Sequence, residues 1–114
     1  MEDTHPLRLL PWSTPDGRPC YLSTDGTGYV ARLADRMEAL QLDTGGEVLG
    51  HARDVLGGAS VPAEVLRFTA TRLAECLSDA LRVAESRGRR LGAGAGDEGG
   101  GGLALPPGGA EPRQ

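Results

Sequence analysis

The sequence predicts a mainly α fold: an antiparallel two-helix hairpin with a short N-terminal β-hairpin or extended flap and a disordered C-terminal tail. Three observations carry this prediction. Two stretches repeat apolar residues at steps of three or four. A Gly-Gly-Ala-Ser break followed by proline separates them. The last quarter is mostly Gly, Ala and Pro. The chain divides accordingly into a flap over 1–25, a helical hairpin over 26–91 and a tail over 92–114.

The flap is read from its turn chemistry. Residues 1–8 are polar and predicted to fray. Leu9–Ser13 and Pro19–Ser23 flank Pro15-Asp16-Gly17, where proline presets φ and glycine accepts a positive φ. Pro11 and Pro19 cannot donate to a ladder, so the pairing is weak and edge-like, held on the helices through Trp12 and Tyr21.

The first helix is predicted over 26–56. Ser23, Thr24 and Asp25 are all able N-caps. Tyr29, Leu33, Met37, Leu40, Thr44, Val48, Ala52 and Val55 then form one stripe, which runs in phase through Gly45-Gly46. Two interior glycines cost about 2 kcal/mol against alanine, yet the unbroken phase favours one long helix. Gly57-Gly58-Ala59-Ser60 ends it, and Pro62 suits the start of the next helix. That helix is predicted over 62–88, its stripe being Val65, Leu66, Thr69, Leu73, Leu77, Ala80, Leu81 and Ala84, with Gly88 as the stop. The tail cannot bury enough apolar surface to offset its ordering entropy.

Composition narrows the function classes. Net charge is −4, and no basic run exceeds Arg89-Arg90, so the electrostatic footprint of a nucleic-acid binder is missing. No apolar stretch approaches the roughly twenty residues of a membrane span, and the N-terminus lacks a signal-peptide core. A cytoplasmic protein with no nucleic acid or membrane partner is expected. Lys, Asn and Ile are all absent; their codons are AT-rich, so the absence reads as a high-GC genome and not as selection of Arg over Lys.

Cys20, Cys76, His5 and His51 are scattered singly, whereas zinc ligands come in pairs at short spacing; no metal or other cofactor is expected. His51 shares a helix face with Glu47 and Asp54. That pattern suits pH sensing, and it also suits an ordinary solvated face. No nucleophile elbow, acid pair or phosphate loop is present, so no catalytic residue is assigned and a non-enzyme is expected.

The stretch PWSTPDGRPCYLSTDGTGYVARLADRMEALQL, with LRVAESRGRRL near the end of the second helix, resembles a group of small proteins of Streptomyces-type actinobacteria, over about residues 9–91. The resemblance implies an accessory role beside helix-turn-helix regulators and anti-sigma-type ATP-binding proteins; it implies no role for any single residue. The two-helix plan also resembles the ESX-type secreted hairpins. Their Trp-x-Gly turn is replaced here by Gly57-Gly58-Ala59-Ser60, and their C-terminal Tyr-plus-acid motif is absent.

The expected function is therefore a non-enzymatic protein–protein interaction module, a regulatory accessory. The alternative is a small ligand- or metal-dependent sensor using His51 and the cysteines. A hairpin of this size has a small core and usually needs further support. Pairing of two hairpins into a four-helix bundle, or docking on a helical partner, is expected to supply it. The flap competes to cover the same surface. The candidate contact residues are Trp12, Tyr21, Tyr29, Val30, Leu49, Leu56 and Phe68.

Overall fold

The computed structural model describes residues 7–95, with side chains through Gly92. The order is β1 (Leu7–Ser13), β2 (Pro19–Ser23), α1 (Tyr29–Leu56) and α2 (Ala63–Ala95). The predicted mainly helical fold with an N-terminal β-hairpin is present. The predicted tail falls, from residue 96 on, outside the described residues.

β1 and β2 pair antiparallel, Leu7 opposite Ser23 and Leu9 opposite Tyr21. The register then shifts, so that Ser13 meets Pro19. The irregularity falls where Pro11 has no N–H to give. The turn closes through Gly17 N–H to Thr14 O (2.8 Å) and Thr14 N–H to Arg18 O (2.8 Å), with Gly17 at φ 88°. Asp16 accepts hydrogen bonds from Thr14 and Arg18, which hold its carboxyl below the usual value. β1 begins at Leu7, so the expectation that 1–8 fray is corrected for its last two residues. Arg8 is buried and ion-paired, which anchors the strand start.

α1 starts three residues later than predicted. Gly26 and Gly28 sit at φ 97° and 101°, outside helical space. Thr24 and Asp25 use their side chains on Gly26 N–H and Thr27 N–H, making local turns in place of the predicted helix cap. The cap position is Gly28, without a side-chain bond. The helix runs unbroken through Gly45-Gly46, as the phase predicted. A Cβ built on Gly45 would lie 3.9 Å from that of Cys76, in ordinary van der Waals contact, so Gly45 and Cys76 face each other across the seam.

The turn between the helices closes with Gly57 N–H on Arg53 O (3.0 Å) and Gly58 N–H on Val55 O (3.1 Å). Pro62 then offers its carbonyl to Leu66 N–H at the start of α2. Gly88 does not stop α2, which continues to Ala95. Arg87 and Arg90, on either side of that glycine, are tied back to Glu38 of α1. These bonds offset the roughly 1 kcal/mol that a helical glycine costs.

The seam is narrower than the apolar stripes implied. Ala31, Ala34, Ala52, Cys76 and Val83 are its buried apolar members, and Leu9 and Leu10 of β1 add to the core. Leu40, Leu77 and Leu81, expected inside, are about three-fifths exposed. The apolar arc on each helix is wider than one partner helix covers. Small residues took the contact because they let the backbones close, and the large ones were left on the flanks.

Candidate interaction surface

The β-hairpin is pinned across the open end of the helix pair by polar bonds. Ser86 Oγ donates to Leu9 O at 2.8 Å, and Gln41 Nε2 donates to Pro11 O at 2.8 Å. Arg8 reaches in from β1, donating to Ala31 O (3.1 Å) and to Glu38 Oε2 (3.1 Å), and it pairs with Asp35 at 2.8 Å. Arg87 Nε and Arg90 Nη2 bind the other oxygen of Glu38, at 3.2 and 3.0 Å.

Glu38 is 1% exposed and is the centre of this cluster. Burial pushes its carboxyl up, but hydrogen bonds from Arg90, Arg8 and Arg87 and the charge of Arg90 outweigh that. The carboxyl is held below its ordinary value. Three elements thus meet on one carboxylate. Sequence reasoning missed it, although a signal was present: Glu38 stands one turn after Ala34, on the small-residue face.

The seven candidate contact residues do not form one patch. Trp12 and Tyr21 belong to the β-hairpin, and the Tyr21 ring lies 5.5 Å below the Arg89 guanidinium. Tyr29 and Val30 are exposed on the first turn of α1. Phe68 lines a cleft of about 150 Å³ with Glu47, Val48, His51, Thr69 and Arg72. Leu49 and Leu56 lie on neither of these surfaces.

Helical phase places the last two. At about 100° per residue, Leu42, Leu49 and Leu56 follow one line along α1, on the flank away from the cleft. In an antiparallel pair the matching flank of α2 carries Leu66, Ala70, Leu73, Leu77, Leu81 and Ala84. Leu33 and Met37 of α1 lie on the opposite flank and are half-buried. One face of the helix pair is therefore covered by the β-hairpin at one end and indented beside His51 at the other. The second face is an apolar strip in which Leu73 is half-buried and the other leucines run from 38% exposed at Leu42 to 73% at Leu56.

Residues named for other chemistry are dispersed. Cys20 is on β2, Cys76 is in the seam and His51 is at the cleft, and both cysteines are free thiols. Among the described residues no three His, Cys, Asp or Glu side chains stand close enough to hold a metal ion; His5 lies outside them. Asp79 pairs with Arg82 at 3.2 Å, one helical turn on, and Glu75 pairs with Arg72, one turn before it. Among the described residues no helix is long and apolar enough to cross a membrane. Compared with known proteins, the chain matches no family model, no curated protein and no solved structure.

Proposed function

We propose that this chain is a non-enzymatic interaction module, a cytoplasmic regulatory accessory that binds a protein partner or a second copy of itself through the open face of its helix pair. The observation that carries this reading is the apolar strip. A lone chain leaves Leu42, Leu49, Leu56, Leu66, Leu77 and Leu81 in water, while the helix seam buries only the smaller Ala31, Ala34, Ala52, Cys76 and Val83. Exposed apolar area contiguous over two helices is the usual mark of a protein contact. The buried Glu38 cluster supports the same reading, because it fixes the β-hairpin on the other face and leaves this one uncovered.

The sensor alternative retains one supporting feature, the cleft beside His51. The cysteines are not in it. The accessory role itself rests on the actinobacterial resemblance.

The test is capture from cells by the tagged chain, wild type against Leu77→Glu. The expected result is a protein chain, this one or another, retained by the wild type and lost with the variant. If wild type and variant retain the same set, the open face is not a contact surface and the reading fails.

A further inference from the structure

We infer that the partner on the open face is a second copy of this chain, packed face to face with its helices reversed, so that the turn end of one hairpin lies over the β-hairpin end of the other. The inference rests on the interaction reading and goes further by naming the occupant and its register.

The first observation is the charge pattern at the edges of the strip. Along α1 the open flank carries Asp35, then uncharged residues through Leu49, then Arg53. Along α2 it carries Arg67, then an uncharged run, then Glu85. Both arginines stand at the turn end and both acids at the β-hairpin end. Among the described residues no carboxylate pairs with Arg53 or Arg67, whereas Asp35 already meets Arg8 at 2.8 Å and Glu85 meets Arg89 at 2.9 Å, each acid being more than half exposed and keeping its second oxygen for another cation.

The second observation is the seam register. Gly45 abuts Cys76, so these two residues mark one level on the two helices. Arg67 and Glu85 each lie nine residues from Cys76, while Arg53 and Asp35 lie eight and ten from Gly45. Nine residues are about 13 Å of helix. Both charge pairs are therefore centred on the same level.

A single two-fold axis across the face at that level then does two things together. It lays Arg67 over Glu85 of the second copy, and Arg53 over its Asp35. It also brings Leu77 against its own counterpart, with Leu73 near Leu81. An isologous contact requires a self-complementary patch, and this strip is one. The other two-fold arrangement, turn end over turn end, would set arginine on arginine and acid on acid.

Area agrees. The six exposed leucines named above present on the order of 600 Å² per copy, against the roughly 800 Å² per partner of a standard interface. The alanines and the edge side chains supply the remainder. No single helix from another protein is asked for by this pattern. It would cover one flank and meet the edge charges of one helix only.

The experiment is sedimentation equilibrium of the full chain over micromolar concentrations, with circular dichroism as a check that each variant keeps its helices. Wild type is expected to be a dimer and Leu77→Glu a monomer of unchanged helicity. Arg67→Glu reverses two attractions in each dimer and is expected to weaken association on the order of tenfold. Adding Glu85→Arg to it restores the pairs in the opposite sense and is expected to recover most of that loss.

Three results overturn the inference: a wild-type monomer throughout, a dimer indifferent to Leu77→Glu, or a dimer that Arg67→Glu tightens or leaves unchanged. A wild-type monomer that still captures another chain in a Leu77-dependent way removes the second copy as occupant and leaves the interaction function standing.

Discussion

Replacing Glu38 with glutamine tests the buried cluster at its centre. The carboxylate receives bonds at 3.1 Å from Arg8, at 3.0 and 3.3 Å from Arg90, and at 3.2 Å from Arg87. Charge-assisted bonds are each worth about 1.5–3 kcal/mol, but the four do not add. Arg87 and Arg90 are part-exposed and regain water when released. Arg8 is 5% exposed and keeps only Asp35 and the Ala31 carbonyl as partners. The loss therefore approaches that of stranding one buried charge, about 3 kcal/mol. A domain of this size holds roughly 4–13 kcal/mol in all. With a urea slope of about 1 kcal/mol per molar, the unfolding midpoint at fixed protein concentration should fall by about 3 M. Helical circular dichroism in urea reads it, with Asp43→Asn, at an exposed position of α1, as a surface control expected to move by under about 0.5 kcal/mol. A Glu38→Gln midpoint within about 0.5 M of wild type would show that the cluster contributes nothing net, and that its bonds only offset the cost of burying the carboxylate.

Because the Glu38 carboxyl titrates below its ordinary value of 4.5, its contribution is fully present above that pH and is lost as pH falls through the depressed folded value. Unfolding free energy should thus fall below about pH 4.5, and Glu38→Gln should flatten that part of the profile; an equal slope in both proteins would refute the assignment. Gly50 lies inside α1 with open space where a Cβ would stand. Gly50→Ala should stabilise the chain by about 1 kcal/mol and raise the melting temperature by about 4–8 °C; a lower temperature would mean that α1 needs glycine there.

Local chemistry determined much of this protein from the sequence alone. The apolar steps of three and four give both helices, because that spacing lines up one face of an α-helix whatever packs on it. Pro15-Asp16-Gly17 gives the β-turn, and Gly57-Gly58 with Pro62 gives the break between helices, because φ restrictions act within a few residues. What the tertiary structure decided is which part of each arc faces inward. Both arcs are wider than one neighbour covers, so spacing alone left Leu40, Leu77 and Leu81 as inward candidates, while packing buried Ala31, Ala34, Cys76 and Val83 in the seam. Helix ends also depended on distant partners: α2 passes Gly88 because Arg87 and Arg90 meet Glu38, about fifty positions earlier. Arg8 reads as a residue of a frayed terminus until the fold brings it to that carboxylate. A buried ion cluster assembled from β1, α1 and α2 has no local spacing, and its stability comes from desolvation and geometry that exist only once the three elements are packed.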